Sequence, residues 1–146
     1  MDAEGNFMFK KVLVPLDGSK VAERILPRVE KLMQCCQAEV HLFQAVVTYE
    51  VAPEKEKEDR DRLFREAYAY LEKVAGRLRN RKINAHAVVV YGKDAIQICD
   101  YARKQKFDLI AMATHGRSGL SRWALGSVAD KVLHCSQIPV MLFRVL

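Results

Sequence analysis

Apolar positions along the chain switch between two spacings. Lys10–Leu16 (KKVLVPL) is a short aliphatic and β-branched run, which predicts a buried strand. Pro15 has no N–H for a ladder bond, so pairing is expected to finish there. Similar short runs at Glu39–Val47, Ile83–Tyr91, Asp108–Ala113 and Ile138–Val145 predict four more strands. Between them the spacing becomes helical. Val21, Ala22, Ile25, Leu26, Val29, Leu32 and Met33 form one stripe, with Pro27 expected to kink it. Residues 50–62 are a run of mixed charge, expected as a solvated loop and first helical turns. Leu63, Phe64, Ala67, Leu71, Val74, Ala75 and Leu78 then give a second amphipathic stripe. Asp94–Gln105 gives a third, with Ala95, Ile96, Cys99 and Ala102 inward, and Val128, Ala129, Val132 and Leu133 a fourth. Alternating strands and helices argue for an α/β domain with a parallel sheet covered on both faces. Short right-handed crossovers make a single doubly wound five-stranded sheet the simplest topology.

The stretch 108–128, DLIAMATHGRSGLSRWALGSV, holds the most chemistry. A strand ends at Ala113, a glycine-rich turn follows through Gly116, Arg117, Ser118 and Gly119, and a helix opens at Gly126-Ser127. Ser127 with Asp130 fits a capping box, which would place Ser127 as the cap of the last helix. A strand, a glycine loop and a helix start form a place for an anion, because unpaired N–H groups and the positive end of the helix dipole meet there.

Composition narrows the function. The chain has 146 residues, half of them hydrophobic and 29% charged, which suits one soluble domain with a full core. No apolar run is long enough to cross a membrane, and residues 1–8 lack the apolar core of a secretory signal. They are expected to be a flexible lead-in to a domain over 9–146, and a cytoplasmic protein is expected. The net charge of +6 favours anions in general. Its tightest cluster, Arg77, Arg79, Arg81 and Lys82, falls at a predicted helix end where cations suit the dipole. No aromatic residues interleave with it to stack bases, so no specific nucleic-acid site is expected. The four cysteines, at 35, 36, 99 and 135, lack paired ligand spacing, so buried or half-buried thiols are expected and no metal site from protein side chains.

The glycine stretch resembles the signature of the universal stress protein family: a glycine, two residues, a glycine, nine residues, then glycine with serine or threonine. Gly116, the nine residues after it and Gly126-Ser127 match, while Ala113 replaces the first glycine. The opening VLVPLDGS is similar to the family's first strand and its P-x-D turn, and the likeness runs from about Phe9 to Val145. It implies strand order 3-2-1-4-5, and with it a reversal of winding between strands 1 and 4, where ligands bind at the carboxyl ends. It also implies ATP with Mg²⁺. Pro15, Leu16 and Asp17 would meet adenine and ribose, with Ala45 and Val46 as an apolar wall and Gly92 near the base. Met112 and Ala113 would lie beside the ribose, and His115 would pack its ring or bind through its backbone. Gly116, Arg117, Ser118, Gly126, Ser127 and Val128 would meet the phosphates. Asp17 has a second reading as the cap of the next helix. If Ala113 keeps extended angles, its methyl costs little.

Other chemistries fit less well. The chain has no P-loop pattern, no nucleophile elbow and no residue placed to orient an attacking water. His115 has no acidic partner nearby in sequence. Three readings therefore stand: a stress protein whose ATP state modulates contacts with an unknown protein partner, a member that works through protein contacts alone, and a slow ATP hydrolase. The resemblance further implies a homodimer through the apolar edge strand at residues 139–145.

Overall fold

A computed structural model describes residues 9–47, 53–115 and 125–145. The lead-in expected over 1–8 lies outside the described residues. Five strands, β1 (Lys11–Pro15), β2 (Glu39–Val46), β3 (Ala85–Tyr91), β4 (Leu109–His115) and β5 (Val140–Val145), form one sheet in the order β3-β2-β1-β4-β5. Every pairing is parallel. The helices are α1 (Lys20–Glu23), α2 (Leu26–Cys36), α3 (Pro53–Arg79), α4 (Asp94–Lys104) and α5 (Ser127–Cys135).

Both faces of the sheet are buried, as parallel strands require. One face presents Val12, Val14, Val40, Leu42, Ala85, Leu109 and Ala111 to α2 and α3. The other presents Leu13, Phe43, Ile110 and Met112 to α4 and α5. Side chains alternate along each strand, so neighbouring residues serve opposite cores.

The predicted first helix is two helices. The chain turns at Arg24 and Ile25, and Pro27 sits in the first turn of α2, where its missing N–H has no helix partner to lose. The charge run is more helical than expected, since α3 already begins at Pro53. Ala67, Leu71, Val74, Ala75 and Leu78 seat α3 on the sheet. Three expected core positions point outward instead: Leu63 (38% exposed), Ile96 (54%) and Leu133 (40%). In α4 the buried row is Ala95, Ile98 and Ala102.

Three cations of the basic cluster make ion pairs. Arg77 pairs with Glu23 of α1 at 2.8 Å, Arg79 with Glu72 within α3 at 2.6 Å, and Arg81, just past the end of α3, with Glu30 of α2 at 2.7 Å. The cysteines depart from expectation in two respects. Cys36 is a half-buried thiol as expected, but Cys35 is exposed, and Cys99 and Cys135 form a disulfide that joins α4 to α5. The two half-cystines come from separate helices packed side by side, a juxtaposition that sequence spacing does not encode. Among the described residues, no helix is long and apolar enough to cross a membrane.

Candidate functional site

The site is set by where β1 and β4 part. The two strands pair only through Val12↔Leu109 and Leu13↔Ile110 among the described residues. Beyond that point each follows its other neighbour. β1 stays with β2 as far as Pro15↔Phe43, and the N–H of Leu16 donates to the Phe43 carbonyl at 2.8 Å. β4 stays with β5 to His115↔Val145. The central strands therefore part at their carboxyl ends, where the winding reverses and where doubly wound sheets take ligands in a crevice.

The candidates among the described residues lie around this end of the sheet, in four groups. Pro15, Leu16 and Asp17 leave β1. Leu16 is buried and Asp17 is exposed. The Asp17 carboxylate accepts the Ser19 N–H at 2.9 Å, and Ser19 in turn caps α1 by accepting the Ala22 N–H at 3.1 Å. Asp17 thus shapes the turn, while the direct helix cap is Ser19. The Tyr70 hydroxyl lies near Glu23 and Asp17. Burial, then the charges of Glu23 and Asp17, push its pKa well above the ordinary tyrosine range, so it stays neutral.

Ala45 and Val46 end β2 on opposite faces, because adjacent strand residues alternate. Val46 is only 7% exposed, so Ala45, half-buried, is the one with surface to present. Gly92 follows β3 and donates its N–H to the Val46 carbonyl at 3.0 Å, closing the ends of the two strands together. Its φ of +130° is one that side chains rarely adopt, and an added Cβ would come within 2.7 Å of the Gln97 amide. Gln97 is a polar neighbour that the sequence did not single out. It sits in the first turn of α4, five residues past the glycine whose bare backbone makes room for it.

Met112 is buried within β4, and Ala113 is half-buried beside it. Ala113 lies inside the strand and is not among the described residues with positive φ. Its extended backbone carries an alanine without strain. His115 is the last residue of β4. Gly116, Arg117 and Ser118 lie outside the described residues.

At the start of α5 the structure corrects the capping box. The cap is Gly126, not Ser127, and a glycine cap offers no side chain to the first turn. Gly126 has φ 87° and ψ 144°, a conformation open essentially to glycine alone. The Asp130 N–H donates to the Gly126 carbonyl at 3.0 Å, which makes Ser127 the first helical residue. The N–H groups of Ser127, Val128 and Ala129 have no partner within the helix, by the geometry of any helix start. Ser127 is exposed and Val128 half-buried. This end of α5 can receive an anion through backbone N–H groups, the helix dipole and the Ser127 hydroxyl.

Comparison with known proteins agrees with this architecture. A sequence model described as the universal stress protein family matches residues 8–144. The chain is 31% identical to universal stress protein MJ0531 of Methanocaldococcus jannaschii, over 96% of this chain and 85% of that protein. The solved structure of MJ0577 from the same organism superposes with a TM-score of 0.84 at 29% identity, covering 95% of this chain and 98% of that one. An Arabidopsis thaliana family member solved with AMP bound shares the fold, with a TM-score of 0.69 at 17% identity and coverage of 94% and 92%. The chain belongs to the universal stress protein family.

Proposed function

We propose that the chain binds an adenine nucleotide, ATP with Mg²⁺, in the crevice between β1 and β4, and that the bound state modulates contacts with a partner protein. One observation carries this reading: β1 and β4 part at the switch point, and α5, which follows β4, starts on a glycine cap that has no side chain to offer its first turn. In a helix start capped by serine, threonine or aspartate, a first-turn N–H donates to that side chain. The glycine instead adds no side-chain oxygen of its own there, which suits an external acceptor. The AMP-bound family member supports the adenine class of ligand.

In this reading Pro15, Asp17, Ala45 and Gly92 flank the base and ribose, while Gly126, Ser127 and Val128 receive the phosphates. Mg²⁺ would be held through the phosphate oxygens and water, as this ion commonly is beside nucleotides, with no protein carboxylate required.

The test is Ser127→Asp. An acidic residue in the first turn suits the helix dipole, so the fold should hold or gain slightly. The same carboxylate repels a phosphate at that spot. Calorimetry with Mg²⁺-ATP should show binding in the parent and a loss of about tenfold or more in the variant, a difference of about 1.4 kcal/mol. Equal affinity in both would remove the phosphates from α5. No binding in the parent would favour the member that acts through protein contacts alone.

A further inference from the structure

At the opposite end of the sheet, three metal-ligating side chains meet. Glu39 and His41 are two residues apart on β2, so strand alternation places both on one face. His41 stands opposite His86 in the β2–β3 register. One ligand atom from each of the three lies within 4.8 Å of the other two. His41 Nε2 is 3.2 Å from one Glu39 oxygen, and His86 Nε2 is 3.9 Å from the other. The imidazole centroids are 4.7 Å apart, and the His41 ring rests edge-on against Phe107 at 4.9 Å.

We propose that Glu39, His41 and His86 form a binding site for one divalent transition-metal ion of the zinc type, with water in the fourth position. Tetrahedral zinc with bonds of about 2.0–2.1 Å wants its ligand atoms about 3.3–3.4 Å apart. Glu39 and His41 already have that spacing. His86 must close by about 1.5 Å at most from the 4.8 Å limit, and its exposed side chain on an edge strand is free of core packing that would forbid the rotation.

The donor set selects the metal. Two imidazoles and a carboxylate suit Zn²⁺, Ni²⁺ or Cu²⁺, whereas Mg²⁺ and Ca²⁺ prefer oxygen alone. Glu39 faces both imidazoles, with one carboxylate oxygen toward each, so a single acid stands between two potential nitrogen ligands. One cation opposes the site. Lys11 is the β1 register neighbour of Glu39, but its ammonium donates to the Gln105 carbonyl at 3.0 Å and lies 4.6 Å from the centre of the Phe107 ring. It lowers affinity without occupying the metal position. The site is separate from the crevice, since Glu39 and Val46 stand at opposite ends of β2, roughly 23 Å apart at strand rise.

The experiment uses the full chain, stripped with chelator and free of nucleotide, so that no phosphate carries metal. Zn²⁺ titrated by calorimetry should bind with one equivalent lost in His86→Ala, and the ring resonances of His41 and His86 should move together. Outer ligands of zinc sites are worth about 10–100-fold in affinity, so loss of a direct ligand should weaken binding by about 100-fold or more. His86 is exposed, and its alanine variant should keep the parent's circular dichroism. A Cys35→Ser, Cys36→Ser chain should bind zinc as the parent does. No binding in the parent, equal affinity in folded His86→Ala, or loss of binding with the two serines would each overturn the site.

Discussion

Ala113 stands where the family signature has its first glycine, and its backbone decides whether the methyl matters. A left-handed alanine would cost roughly 1–2 kcal/mol. The residue instead sits in β4 opposite Phe143, with extended angles, as expected for the tail of a strand. Ala113→Gly should therefore leave ATP affinity within about twofold, there being no strain to relieve. It should lower stability by about 0.5–1 kcal/mol through chain entropy alone. Calorimetry and a urea melt separate the two effects, and a tenfold gain in affinity would show that the methyl obstructs the site. Ser127 shows what spacing hides. Its distance from Asp130 mimics a capping box, but the φ of 87° at Gly126 moves the cap one residue earlier. Dihedral angles of that kind are not written in residue types. Nor is cross-strand register, and the meeting of His41 with His86 depends on it entirely.

At the scale of elements, hydrophobic period identified all five strands and the helical regions, and missed mainly where helices begin and end. Pro27 was legible as a disturbance, but only the fold shows that it opens a new helix. The run of mixed charge has no apolar stripe and reads as a loop with first helical turns, yet it is helical from Pro53 onward. Helix exits hold a testable detail. α3 and α4 both end in paired bonds of the Schellman type: Ile83 N–H to the Leu78 carbonyl with Lys82 N–H to Arg79, and Phe107 N–H to the Ala102 carbonyl with Lys106 N–H to Arg103. Both motifs put a lysine in the left-handed position, at φ 62° for Lys82 and 55° for Lys106. Glycine avoids the steric penalty there but loses more entropy on folding. The net expectation is a gain of up to about 1 kcal/mol for Lys106→Gly, read as a higher urea midpoint at unchanged slope. A lower midpoint would mean that the lysine side chain contributes more than its backbone costs.

For the whole molecule, the alternation of strands and helices was enough to argue a doubly wound sheet, because few topologies bury both faces with short crossovers. The order 3-2-1-4-5 needed the family likeness, since local pattern does not say which strands are neighbours. That order leaves β5 at one edge, paired along one side with β4 from Ile110↔Val140 to His115↔Val145. Its side chains are half-committed to the monomer: Met141 and Phe143 pack toward the α2–α3 core, Val140 and Leu142 toward the α4–α5 core. An apolar edge strand of this kind invites another strand. The other edge differs, because α3 reaches across the end of β3, with Phe64 5.2 Å from the Tyr91 ring and Arg60 5.1 Å from it. We therefore propose that two copies join through residues 139–145, antiparallel about a two-fold axis, which makes the contact self-complementary. Light scattering at micromolar concentration should give twice the chain mass. In a Cys35→Ser, Cys36→Ser background, Leu142→Cys places a thiol at the middle of the segment, close to the axis and to its own twin. Mild oxidation should then cross-link the dimer, since directly opposed strand residues lie within disulfide reach. A monomeric mass would overturn the pairing, and a dimer that resists this cross-link would have its interface elsewhere.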